Sequence, residues 1–159
     1  MRRKDREVTD EAAICAILDK AQVLHLAMID GARPYVVPLH YGYALENGRL
    51  TLYLHSATEG RKLDVLRQND RVAFVLETDV APVSGEDVPC RYGAAYASLM
   101  GEGRATILDD AEAKITALAV LMHTQTGRSF SFTPDMANAV AVIRVDVETY
   151  SAKSRPMAH

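Results

Sequence analysis

Ser56, Thr58, Arg61 and Lys62 fall within nine residues, LHSATEGRK (54–62), and their types suit the holding of a phosphate monoester. A strand-like apolar run ends there in small polar residues and a glycine, and two adjacent cations open what reads as a helix. Hydroxyls, unpaired backbone N–H groups at a helix start and paired positive charge are the three donors such an anion needs. Arginine grips two oxygens at once and lysine adds a point charge. Gly60 lets the backbone come close to a ligand. The plainer reading is an exposed basic helix start, or a turn whose cations pair with carboxylates. Cations there oppose the helix dipole by about 0.3–1 kcal/mol each, which favours a bound anion as the reason for them.

Other chemistries find less footing. GEGR (101–104) lacks the third glycine of a dinucleotide turn and sits within a strand, and no GxxxxGK[ST] is present. Histidines 25, 40, 55, 123 and 159 show no HExxH or i, i+4 pair, so no metal site is expected. His25 and His40 read as ordinary strand residues and His123 as part of an amphipathic helix. Without GxSxG, or a histidine beside Cys15 or Cys90, nucleophilic catalysis has no visible centre, and both cysteines read as packing residues.

The 159 residues form a single unit (1–159), since no repeat, low-complexity tract or flexible linker divides them. A chain of this length buries roughly two thirds of its unfolded surface. Two cysteines, no signal peptide and no membrane-length apolar run point to the cytoplasm, and a net charge of -3 predicts no nucleic-acid partner. The basic start MRRKDR is too short to make a basic face.

Positioning the 54–62 segment requires a scaffold, and the period of apolar residues describes one. A helix begins after a Thr9 cap and turns Ile14, Ile17, Leu18 and Ala21 to one side. Strands follow at 23–30, at 34–45 with prolines that interrupt its ladder, and at 50–55 after an Asn47-Gly48 hairpin. A short helix spans 61–69, a strand 71–78, and a long loop 79–91 carries Pro82 and Pro89. A bending strand at 93–108, with Gly101 and Gly103 as bulge positions, precedes a helix turning Ile115, Leu118, Ala119 and Met122 inward and a last strand at 139–150. Strands without long intervening helices predict a mainly β, α+β fold: an antiparallel barrel or curled sheet with a few flanking helices.

PYVVPLHYGY, GRLTLYLHSATEGRK and YASLMGEGRA together resemble the pyridoxamine 5'-phosphate oxidase-related flavoproteins, more closely the branch that includes nitroimidazole-resistance proteins. The resemblance runs from about Arg3 to Arg155, is most specific over 34–104, and has a weaker echo in the terminal KSRP. It implies a split β-barrel, a homodimer, and flavin mononucleotide (FMN) at the interface. By position it assigns His55, Ser56, Arg61 and Lys62 to the phosphate, and Val37, Pro38, Leu39 and Tyr41 to the ring. Ser98 and Lys153 complete the set. A flat apolar ring with a polar edge suits aliphatic side chains beside strand backbone. The chain has no tryptophan and lacks the C-terminal arrangement with which pyridoxamine phosphate oxidases hold their substrate's phosphate, so vitamin B6 oxidation is not expected. Two functions compete: an FMN-dependent reductase acting on a small molecule, and a non-catalytic module binding a flavin, haem or other phosphate-bearing ligand. A dimeric scaffold whose basic turn only pairs with carboxylates is the third.

Overall fold

Apolar residues alternate along every long strand, and each strand turns one set inward. The computed structural model, which describes residues 3–156, shows what they enclose. After a two-residue strand β1 (Glu7–Val8) and helix α1 (Glu11–Lys20) come β2 (Val23–Asp30), β3 (Arg33–Glu46) and β4 (Arg49–Ser56). Helix α2 (Arg61–Gln68) leads to β5 (Arg71–Val83) and β6 (Gly93–Leu108); α3 (Ala111–Thr126), α4 (Pro134–Asn138) and β7 (Ala141–Arg155) complete the chain. All strand pairings are antiparallel. The order β7-β4-β3-β2-β5-β6 closes on itself through β6 and β7, and β1 adds to β7. This is the expected split barrel. His159 and the first two residues of the basic arm lie outside the described residues.

Leu24, Leu26, Leu52, Leu54, Leu76, Leu99 and Ile143 are fully enclosed inside the ring, where burial of each side chain contributes about 1.5–3 kcal/mol. Ile14, Ile17 and Leu18 of α1, with Leu63 and Leu66 of α2, join the same core. Helix α3 packs outside, where Ala117 and Leu118 meet Val142, Ala137 and Tyr53 in a second cluster. Its buried residues are Ala117, Leu118 and Leu121, a face rotated from the expected one. Gly42 explains the rotation: α3 comes so near that a Cβ on Gly42 would overlap the Leu121 backbone.

Several boundaries differ from the sequence expectation for identifiable reasons. Asp10, not Thr9, caps α1 by accepting from the Ala13 N–H at 2.9 Å. Strand β5 passes through a bulge between Thr78 and Ala81 and continues to Val83, so the loop is shorter than 79–91. The second bulge lies where Glu102 pairs with Thr149 but Gly103 with Val147, which leaves Glu148 of β7 as the extra residue.

Strand β3 carries the feature that matters for function. Its first half, to His40, pairs only with β2, and its second half, from Tyr41, pairs with β4. One edge is therefore open from Pro34 to His40. The Tyr41 carbonyl and Tyr43 N–H bond to side chains of α3 at 2.7 and 3.4 Å, so alternation turns the backbone groups of Pro34, Val36, Pro38 and His40 to the open edge. The two prolines thus interrupt no ladder bond.

Candidate functional site

The open edge of β3 faces the turn between β4 and α2, and the gap between them is the candidate site. Strand β4 ends at Ser56, and Gly60 enters the helix at φ 134°, a conformation that side chains strongly disfavour. The Gly60 carbonyl accepts from the N–H groups of Leu63 and Asp64, no side chain caps the helix, and the N–H groups of Arg61 and Lys62 remain directed outward. Tyr35, Ser56, Gly60, Arg61 and Lys62 line a cleft of about 220 Å³.

The two cations behave differently. The Arg61 guanidinium donates to Asp30 Oδ2 from Nε at 2.8 Å and from Nη2 at 2.7 Å, and stacks 4.3 Å above the centre of the Tyr35 ring. Lys62 is half-buried and, among the described residues, has no carboxylate within 4.0 Å; burial lowers its pKa. A half-buried ammonium without a counter-charge is the strongest electrostatic demand for an anion in this cleft. Ser56 Oγ donates to the Ala57 carbonyl at 3.0 Å.

His55 precedes this turn on the barrel's outer side, next to His40. Burial lowers its pKa first, with the His40 and Lys62 charges adding to the effect, so the neutral ring is favoured. Its Nδ1 is enclosed and has no hydrogen-bond partner among the described residues. His40 Nδ1 instead lies 3.1 Å from both the Gln22 carbonyl and Gln125 Oε1.

Strand alternation sorts the remaining expected residues. Val37 and Leu39 pack their side chains toward the core, whereas Pro38 faces outward with Val36 and His40, two neighbours the sequence reading did not assign. Tyr41 turns inward: its side chain is fully enclosed, and its hydroxyl donates to the Leu18 and Ala21 carbonyls at 2.7 and 3.0 Å. It anchors the end of α1 and offers a ligand no side-chain surface. Ser98 and Lys153 stand opposite each other on β6 and β7, away from the cleft. Ser98 is 7% exposed and its hydroxyl has no hydrogen-bond partner among the described residues. Between the two places lies an open apolar groove of about 630 Å³ over the outer face of the sheet, lined by Ala27, Val36, Val75 and Met100. Among the described residues no three His, Cys, Asp or Glu side chains gather in a metal-binding group.

The sequence matches the family described as pyridoxamine 5'-phosphate oxidase over residues 10–154, which takes in the barrel and the cleft. The chain belongs to the pyridoxamine 5'-phosphate oxidase family. A structure of a candidate 5-nitroimidazole antibiotic resistance protein from Bacteroides thetaiotaomicron is 30% identical, with a TM-score of 0.77 over 92% of this chain and 85% of that one. This likeness bears out the expected branch of the pyridoxamine 5'-phosphate oxidase family. The flavocytochrome Anf3 from Azotobacter vinelandii (20% identity, TM-score 0.75, 100% of this chain and 74% of that one) shares the fold. So does a FAD and heme binding protein from Mycobacterium smegmatis (17%, 0.78, 97% and 76%). No curated protein matches the sequence significantly.

Proposed function

We propose that this protein is an FMN-dependent oxidoreductase of the reductase type, acting on a small molecule as a homodimer with the flavin between two copies. The observation that carries the reading is Lys62, a half-buried cation that has no carboxylate partner among the described residues and stands beside an uncapped helix start. A phosphate in the cleft would neutralise Lys62 and accept from the outward N–H groups. Arg61, steadied by Asp30 and Tyr35, would border it. The unpartnered atoms fit the rest of a flavin: His55 Nδ1 and Ser98 Oγ each lack a hydrogen bond that a polar ring edge or ribityl chain supplies. The open edge of β3 offers backbone groups at Val36, Pro38 and His40 beside outward apolar side chains, as a flat ring requires.

A homodimer fits where the parts lie. Ser98 sits three strands from His40 across the outer face, roughly 14 Å at ordinary strand spacing. A second copy laid on the apolar groove brings one chain's Ser98 and Lys153 toward the other's cleft. Bound flavin supplies the electron-transfer chemistry; the protein's residues bind, orient and exclude water.

The test is the absorption spectrum of the purified protein, with the extracted ligand identified by mass. Wild-type protein takes up FMN and shows its visible band, and Lys62→Gln weakens binding roughly tenfold or more, the worth of one charge-assisted contact. A sample that stays colourless after incubation with FMN overturns the reading. Flavin that binds but is never turned over by a nicotinamide donor and an acceptor assigns the protein to the non-catalytic class.

A further inference from the structure

Gln125, in the last turn of α3, fixes the chemistry of a histidine beside it. Its Nε2 donates to the Tyr41 carbonyl at 2.7 Å and to the Gln22 carbonyl at 3.2 Å. Reversing the amide would set its oxygen against two carbonyl oxygens, so Oε1 is the atom that faces His40. His40 Nδ1 lies 3.1 Å from that Oε1 and 3.1 Å from the Gln22 carbonyl. Both oxygens only accept, so Nδ1 carries a hydrogen in the neutral ring as well as in the imidazolium. Neutral His40 is therefore the Nδ1–H tautomer, and Nε2 is the atom at which a proton comes and goes.

The surrounding elements hold this arrangement. A Cβ on Gly42 would overlap the Leu121 backbone, so the glycine admits α3 against β3. Thr124 Oγ1 accepts from the Tyr43 N–H at 3.4 Å, so side chains from one turn of α3 serve the β3 backbone beyond the start of β2. His40 is exposed on the outer face, in line with Val36 and Pro38, at the last residue of the open edge. The ladder pair after Tyr41 and Leu54 would join His40 to His55, but β3 and β4 part there, and the imidazole stands at the mouth of the gap. Its Nε2 makes no hydrogen bond among the described residues. The titratable groups that face it are His25 of β2, one row away on the same face, and His55 of β4 with Lys62 of α2 behind it; from α3 it meets the uncharged Gln125. A histidine kept for packing is enclosed, with both nitrogens satisfied. One nitrogen held by two acceptors and the other free and wet is the arrangement of a proton carrier.

We propose that His40 is the proton donor of the reductase, giving from Nε2 the proton that a small-molecule acceptor takes up when it is reduced by hydride, and that Gln125 is its positioning residue. The role in turnover rests on the flavin reading above. Electrons come from a nicotinamide donor by way of bound flavin. As hydride reaches the acceptor, the Nε2–H bond of the imidazolium breaks and an O–H or N–H bond of the product forms. The ring is left neutral with Nδ1–H in place, and it regains its proton from water. One hydride and one proton complete the two-electron reduction of a quinone, whereas ferricyanide takes single electrons and no proton.

That difference supplies the test. With NADH as donor, His40→Gln is expected to lower kcat for menadione roughly a hundredfold, with KM and FMN uptake little changed, and to slow ferricyanide reduction far less. Equal loss with both acceptors would make His40 structural, and no loss with menadione would give the proton to another group; either result overturns the proposal. Nitrogen NMR of histidine-labelled protein in alkaline buffer reads the tautomer, with the His40 signals assigned by their absence from His40→Gln. Wild type is expected to show the Nδ1–H form. Gln125→Glu, which keeps an acceptor against Nδ1, is expected to retain it, and Gln125→Leu to admit the Nε2–H form and lower kcat for menadione. A wild-type ring in the Nε2–H form, or a tautomer that Gln125→Leu leaves unmoved, overturns the positioning role. A wild type that takes up no FMN, or takes it up and reduces neither acceptor, overturns the reductase function and the proton donor with it, while a tautomer set by Gln125 would still stand.

Discussion

His55 is the side chain on which the electrostatics of the cleft converge. It is faced by His40 from β3 and by Lys62 from α2, while Gln125 of α3, which bonds to His40, is uncharged. Burial and two positive neighbours all disfavour its imidazolium, so its folded pKa lies below the ordinary 6.5. The unfolded chain then binds a proton that the folded chain resists. The stability this contributes is fully present above about pH 6.5 and is lost as pH falls through the folded value. Urea unfolding between about pH 7.5 and 5.5 should therefore show a steeper loss of stability in wild type than in His55→Gln. Equal slopes would show that His55 is not resisting protonation. Bound FMN should flatten the wild-type slope as well, because a phosphate near Lys62 offsets the field acting on the imidazole.

At the scale of elements, the turn from β4 into α2 was legible because its chemistry is local. Gly60, the two cations and the helix start are sequence neighbours, so spacing alone brought them together. The orientation of β3 was not. In PYVVPLHY both parities carry apolar residues, and only the packed structure shows that Val37, Leu39 and Tyr41 turn in while Val36, Pro38 and His40 turn out. The last part of β7 was also hidden, since the mostly polar residues Ser151 to Arg155 are held in the sheet by pairing with β6, a contact between distant segments. Tertiary pairing decided there where periodicity had faded. The Gly60 turn carries a prediction of its own. At φ 134° a side chain is strained, yet a Cβ there would meet nothing within 4 Å, so the cost is backbone conformation rather than collision. Gly60→Ala should lower stability by about 1–3 kcal/mol in urea titration and weaken FMN binding by reorienting the Arg61 and Lys62 N–H groups. A variant with wild-type stability and affinity would mean the turn relaxes without consequence.

For the molecule as a whole, the outer face of the barrel poses the largest question. Side chains in register across four strands make two rows: Val36, Ala27, Ala73 and Glu102, and beside them Pro38, His25, Val75 and Met100. Val36 is 54% exposed and Met100 42%, on a face with few charges, whereas a single chain in water is better served by polar residues there. In the proposed homodimer a copy of the same chain would cover this groove and carry Ser98 and Lys153 toward the partner's cleft. Val75 lies on β5, one of the two inner strands of the patch, and outside the core, so Val75→Glu leaves the barrel interior intact. In a two-fold interface the substitution enters twice, and each buried, unpaired carboxylate opposes association by about 3–5 kcal/mol. Light scattering should then show a dimeric wild type and a monomeric Val75→Glu with unchanged circular dichroism, and the monomer should lose most of its FMN affinity. A wild type that binds FMN as a monomer would remove the dimer from the mechanism. A monomeric variant that keeps full affinity would place the entire flavin site in one chain and leave Ser98 and Lys153 without a part in it.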